Sequence, residues 1–315
     1  MRYLDPKADL TFKKVFGEHP DLIKSLLNAL LPFETPEEEI NEIEYLTPEL
    51  APETPLKKNS IVDVRCRDKR GRQFIVEMQM LWSSAFMQRV LFNASKAYVR
   101  QLDGKEKYEL LQPVYSLSLV NEVFAPDIED FYHDYRIVQI QHTDRIIEGL
   151  RFIFVELPKF TPHTYSEKKM YVLWLRYLTE INGKTREIPQ ELLDNPEIKK
   201  AVTLLEESAF SDAQLLGYDD FWDAVRVEQT LVSDALQKGK QEGIQEGMKQ
   251  GIQEGMKQGI QEGMKQGIQE GMKQGMKQGE RNKEVQIAKK LKAMGMETTL
   301  IIQATGLTAD EIAAL

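Results

Sequence analysis

The apolar residues of Asp9-Leu-Thr-Phe-Lys-Lys-Val-Phe16 fall at 12, 15 and 16, a spacing that predicts a short amphipathic helix near the start of the chain. A second helix is predicted from Asp21 to Leu31. Two runs, Ile61 to Arg67 and Gln73 to Met80, read as strands. Gly71 between them suits a three-residue hairpin loop whose last position is left-handed. Ser84 to Leu102 reads as a long helix, Pro113 to Val120 as a buried strand and Phe152 to Leu157 as one further strand. Helical patterns resume from Glu167 to Leu178 and around Phe210 to Leu236. Helices on either side of a central sheet make an α/β or α+β domain, expected over residues 1–236.

The texture then changes. GIQEGMKQ recurs almost without variation, and Gly stands at every fourth position from Gly239 to Gly279, eleven in all. Ile or Met follows each Gly from Gly243 to Gly275. Glu246 with Lys249, and the same pair in later copies, sit three apart and favour helix. Eleven glycines oppose it by roughly 10 kcal/mol in a helix interior. At about 100° per residue, a period of four drifts by about 40° per step, so the Gly/apolar stripe winds around a helix. Two readings of residues 237–282 stay open: a helical stalk for self-association, or a flexible linker. Residues 283–315 have helical spacing at Val285, Ile287, Ala288, Leu291 and Met294, a stop at Gly295, and a capping box at Thr308-Ala-Asp-Glu311. No basic recognition face marks the last helix, so packing or oligomerisation is the expected role, with a homo-oligomer formed through residues 237–315.

Composition narrows the class. The apolar fraction of 42% and charged fraction of 29% suit a soluble globular protein. No apolar run approaches the roughly 20 residues that span a bilayer, so no membrane partner is expected. The N-terminus lacks the apolar core of a secretion signal. Cys66 is the only cysteine, which excludes an internal disulfide and a Cys-rich zinc site and fits a cytoplasmic location. A formal net charge of −9 argues against a protein that coats nucleic acid indiscriminately. His19, His133, His142 and His163 show no metal-ligand spacing, and neither a Walker motif nor a GxSxG elbow is present.

The chemistry concentrates in the hairpin. With its loop centred on Arg70, opposed residues have numbers summing to about 140, so Asp63 faces Glu77. Period two puts Val62, Val64, Cys66, Phe74, Val76, Met78 and Met80 on one face, the core. The other face carries Ile61, Asp63, Arg65, Arg67, Gln73, Ile75, Glu77 and Gln79. Facing carboxylates repel. A divalent cation such as Mg²⁺, which takes a few carboxylates and waters, relieves that repulsion; Arg65 bridging a solvated pair is the structural alternative. Arg65, Arg67, Lys69, Arg70 and Arg72 gather positive charge in and beside the loop, suited either to DNA phosphates or to guarding a solvated edge.

The chain resembles the PD-(D/E)XK nuclease superfamily, in particular the bacterial Rpn group of recombination-promoting nucleases and transposases. The resemblance rests on Asp9, Phe12, Lys13, Lys14 and Phe16, on Ile61-Val-Asp63 followed by Val76-Glu-Met-Gln79, and on Arg89 through Tyr98. It continues in Tyr108, Pro113-Val-Tyr, Phe154-Val-Glu-Leu-Pro158, and Ile287 through Thr305-Gly-Leu. It implies a restriction-endonuclease-like mixed central sheet flanked by helices. It also implies a metal-dependent DNA endonuclease linked to recombination, mobile elements or defence. Asp63 and Glu77 would ligate Mg²⁺, or Mn²⁺ in its place, and Asp9 would be an acidic contributor. Gln79 would stand where many members place a catalytic Lys. A neutral Gln can orient groups by hydrogen bonds but cannot offset charge. The substitution favours a second reading, a catalytically weak nuclease fold that binds or regulates through its repeat and tail.

Overall fold

The computed structural model describes residues 2–50, 60–102, 107–162 and 169–315. They divide into two compact units, Met1–Val232 and Ser233–Leu315.

The first unit is built on a six-stranded mixed sheet. Its strands are β1 (Ile43–Tyr45), β4 (Val64–Asp68), β5 (Gln73–Gln79), β6 (Val114–Val120), β7 (Tyr132–Gln139) and β8 (His142–Glu156). Across the sheet they run β1-β4-β5-β6-β8-β7, and β2 (Glu49–Leu50) pairs separately with β3 (Ser60–Ile61). The inner pairs β5/β6 and β6/β8 are parallel, whereas β1/β4, β4/β5 and β7/β8 are antiparallel. Parallel neighbours need a crossover, and α3 (Ser84–Val99) supplies it between β5 and β6.

Helices cover both faces. On one lie α1 (Asp9–Phe12), which continues as a π-helical turn over Lys13–Gly17, α2 (Pro20–Leu30), α4 (Met170–Glu180), α5 (Gln190–Leu193) and α6 (Pro196–Thr203). Phe12, Phe16, Leu26 and Trp174 meet Val64, Cys66, Phe74, Val76, Leu117 and Ile153 there in the main core. Residues Ala94 and Ala97 of α3 cover Ile75 and Val114 on the opposite face. The restriction-endonuclease-like expectation, a mixed sheet between helices, therefore holds.

The hairpin forms in the expected register from Val64, which opposes Val76, to Arg67, which opposes Gln73; the expected Asp63–Glu77 opposition falls outside this ladder, at a bend before β4. Gly71 has φ +84°, the left-handed conformation its loop requires. One expectation is corrected. Val62 does not share the face of Val64; it packs with Ile75, Ala94 and Val114, because the chain bends at Asp63 before β4 begins. The second face, which the structural alternative left solvated, is covered by α3.

Elsewhere β8 is far longer than Phe152–Leu157, and it pairs from His142 to Val155 with β7, a strand without a strong apolar signal. Glu167, where the spacing starts a helix, lies outside the described residues, as does His163. The last helix of the unit, α7 (Asp212–Ala293), contributes Tyr218 to a cluster with Leu4 and Ala8, and Val225 to one with Met80 and Leu81.

In the second unit α7 carries the entire repeat in helical form, with Ile244 to Met276 exposed. After Gly295 (φ +72°) come α8 (Thr298–Thr305) and α9 (Ala309–Ala313). The capping box is present: the Thr308 hydroxyl accepts from the Glu311 N–H, and the Glu311 carboxylate accepts from the Thr308 N–H at 2.8 Å. Ala288, Ile301, Leu307 and Ile312 form a small core, so this tail has packing of its own. Among the described residues no helix is long and apolar enough to cross a membrane.

Candidate active site

The bend at Asp63 positions the first carboxylate. Strand pairing would leave its side chain free; the bend instead carries Asp63 Oδ2 to the backbone N–H of Met78, 2.7 Å away on β5. Burial pushes the Asp63 carboxyl above its ordinary range, against the Met78 hydrogen bond that lowers it; Asp9 adds to the rise, and Lys13 and Arg89 oppose it. Asp9 and Lys13 pair at 2.6 Å one turn apart on the first helix, so this segment delivers both an acid and a compensating base to the site.

Glu77 lies on the β5 face that α3 covers and is only 4% exposed. Burial raises its pKa to about 7; Arg89 opposes the rise, Asp63 adds to it, and a hydrogen bond from Asn93 opposes it. The Asn93 side-chain N–H donates to Glu77 Oε1 at 3.4 Å, and the Asn93 oxygen accepts from Ser60 at 2.5 Å. Glu77 Oε2 is buried without a hydrogen-bond partner. Ser118, its register partner on β6, is likewise buried with an unpartnered hydroxyl. A buried carboxylate oxygen without a donor has lost water and gained nothing, a cost that a cation or bound water removes.

Gln79 occupies the next position on the same face and has no freedom. Its Oε1 accepts from Arg89 Nη2 at 2.7 Å, and its amide donates to the Leu81 carbonyl. Arg89 therefore places a guanidinium beside the position from which Gln79 withholds charge. Arg89 and Asn93 are four apart on α3 and address Gln79 and Glu77 respectively, as neighbours on one helix face do.

The five basic hairpin residues lie toward the other end of the strands. Arg67 pairs with Glu44 at 2.7 Å and Lys69 with Glu42; Arg70 donates to the Glu37 carbonyl. Arg65 donates to Gln73 at 2.9 Å. Arg72 is buried, paired with Asp68 at 2.7 Å and stacked over Phe33. The structure thus brings Asp63, Glu77, Gln79 and Asp9 into one electrostatic neighbourhood and leaves the basic group at the loop. Reasoning from spacing missed Arg89, Asn93 and Ser118. The i,i+4 pair in the helix after the hairpin was the available signal for two of them.

Among the described residues no group of three or more His, Cys, Asp or Glu gathers as a ready metal cage. Two carboxylates with water completing the shell still suit Mg²⁺, which keeps several waters when protein-bound. The unpartnered Glu77 oxygen beside Asp63 fits such an ion.

A mixed sheet with a hairpin, a crossover helix and a carboxylate pair between them defines a nuclease-type α/β protein. The chain belongs to the PD-(D/E)XK nuclease family transposases, a family that matches residues 6–235. The match ends before the repeat, so the resemblance at Ile287 through Leu307 falls outside it. No curated protein and no solved structure matches the chain.

Proposed function

We propose that this protein is a DNA endonuclease that hydrolyses phosphodiester bonds with a divalent metal, Mg²⁺ or Mn²⁺, held by Asp63 and Glu77. The observation that carries the reading is the buried Glu77 carboxylate, with one oxygen unpartnered and its pKa raised to about 7 beside Asp63. A divalent ion there supplies Lewis-acid polarisation of the scissile phosphate and makes a bound water more acidic. The side chains have separate tasks. The Met78 N–H fixes Asp63, and Asn93 orients Glu77. Arg89 supplies the positive charge that a Lys at position 79 would bring, stabilising charge that develops on the phosphate. Asp9 adds acidity to the site and Lys13 balances it. Arg67 and Lys69 engage the DNA backbone by exchanging their acidic partners for phosphates, and Arg70 by exchanging the Glu37 carbonyl, with Arg65 and Arg72 supporting the loop beneath. Residues 237–315 join copies of the chain, and the biological setting is recombination or mobile-element activity.

Plasmid nicking over a Mg²⁺ and Mn²⁺ series tests this. The wild type nicks, and Glu77→Ala does not. Nicking by Glu77→Ala at the wild-type rate would refute the assignment. Gln79 motivates the second reading, a binding or regulatory protein that keeps the fold with little hydrolysis. Absence of DNA cleavage by the wild type at every metal concentration would favour it.

A further inference from the structure

The repeat helix carries nine Ile and Met side chains from Ile244 to Met276, each 54–68% exposed. A Cβ built on any glycine from Gly239 to Gly279 meets nothing within 4 Å. Within one chain, then, these glycines answer no steric need, and they oppose the helix they sit in. Something outside the chain has to account for both features.

The charges identify it. In each four-residue period from Gly243, the order is Gly, then Ile or Met, then Gln or Lys, then Glu or Gln. In a frame that follows the winding stripe, these become four parallel ribbons. The glycine and Ile/Met ribbons lie side by side and form a seam. The ribbon flanking the glycines carries Glu246, Glu254, Glu262 and Glu270 and no Lys; the ribbon flanking the Ile/Met side carries Lys249, Lys257, Lys265, Lys273 and Lys277 and no Glu. Two identical helices meeting along this seam have only two symmetric arrangements. Side by side in the same direction, the acidic flank of each faces the basic flank of the other on both edges. In opposite directions, acid faces acid and base faces base. Flanking charges of this kind set partner and orientation in coiled coils.

We propose that the Gly-x-x-x repeat is a docking surface for a second copy of the same chain, paired parallel and in register. This deepens the self-association reading above and does not depend on whether the chain cuts DNA. The geometry agrees with the glycines. A stripe advancing about 40° every four residues completes a turn in about 36 residues, about 54 Å. Two helices about 8 Å apart that follow it cross at about 50°, and more shallowly as they close. That approaches the right-handed crossing of about 40° made by close GxxxG pairs, whose glycines permit the contact. Zero offset brings the four Glu of each acidic ribbon alongside the basic ribbon of the partner helix. Parallel pairing also tethers two nuclease units at the same end of the repeat, where one duplex can meet two sites at high effective concentration.

Single cysteines in the full-length chain test the arrangement, because Cys66 is fully buried. Met248→Cys and Met272→Cys each form a self-disulfide on oxidation, and a mixture of the two forms no 248–272 species. Cross-linking only in the mixture indicates antiparallel pairs and overturns the orientation while leaving self-association intact. A monomer in sedimentation equilibrium overturns both. Gly259→Leu weakens the dimer at least tenfold without lowering helical content, since the added side chain meets nothing in its own chain; an unchanged dimer excludes the glycine seam as the contact.

Discussion

In the absence of metal, ionised Glu77 should destabilise the nuclease unit, and this can be measured against Glu77→Gln. Its folded pKa is about 7, against an ordinary 4.5. Because the folded value is raised, the stabilisation associated with the protonated carboxyl is fully present below pH 4.5 and lost as pH rises through 7. The difference of about 2.5 units corresponds to roughly 3 kcal/mol. Glutamine mimics the protonated carboxyl and does not titrate. In EDTA, the wild type should match the Gln variant near pH 4.5 and fall about 3 kcal/mol below it by pH 8. Urea unfolding followed by tryptophan fluorescence reads the right unit, since Trp174 lies in its core and Trp82 and Trp222 belong to it. Saturating Mg²⁺ at pH 8 should restore the wild type, by about 2.7 kcal/mol at a hundredfold excess over Kd, and leave the Gln variant unmoved. A wild type whose stability relative to Gln is flat from pH 4.5 to 8 would refute the burial argument. Equal Mg²⁺ stabilisation of both proteins would refute Glu77 as a ligand.

Other expectations follow from single contacts. Arg89→Ala should lower nicking by about a hundredfold if it stands in for the missing lysine, with metal-dependent stabilisation retained; unchanged nicking would remove it from the chemistry. Glu156 is fully buried and accepts from the Phe124 and Ala125 N–H groups, His133 and Lys159. Glu156→Leu, which leaves those donors unpaired, should cost about 3–5 kcal/mol in urea unfolding, and a loss under 1 kcal/mol would show the cluster to be dispensable. Gly71→Ala forces a Cβ to 3.1 Å from Gln112 at φ +84° and should cost about 1 kcal/mol or more, while a stabilised variant would contradict the loop assignment.

The sequence made the hairpin legible because two local signals agreed: turn chemistry at Gly71 and the apolar residues Phe74, Val76, Met78 and Met80 at every second position. It did not reveal what covers each face. Alternation assigns Val62 and Val64 to one side, and only the bend at Asp63 sends Val62 across to Ile75. That bend has no composition signal of its own; it is stabilised by the Met78 N–H, a contact between residues fifteen apart. The β7–β8 arm was unreadable for a related reason, since exposed residues from His142 to Glu148 leave no apolar rhythm.

Gln79 shows most clearly where reading a single element stops. Along β5 alone, a neutral amide in place of lysine reads as a lost charge. The crossover helix changes that balance, because Arg89 reaches Gln79 at 2.7 Å and its field acts on both Asp63 and Glu77. A lysine at 79 would face that guanidinium at close range, and like charges at such a separation repel by several kcal/mol at an effective dielectric of about 20. The two positions are therefore expected to constrain each other, because a cation on the strand at 79 would crowd the one that the helix already places there. Gln79→Lys alone should destabilise the unit, whereas Gln79→Lys with Arg89→Gln should recover the loss and keep the site charged. If the single and double variants are equally stable in urea, the two residues are not coupled, and the helix does not carry the charge that the strand lacks.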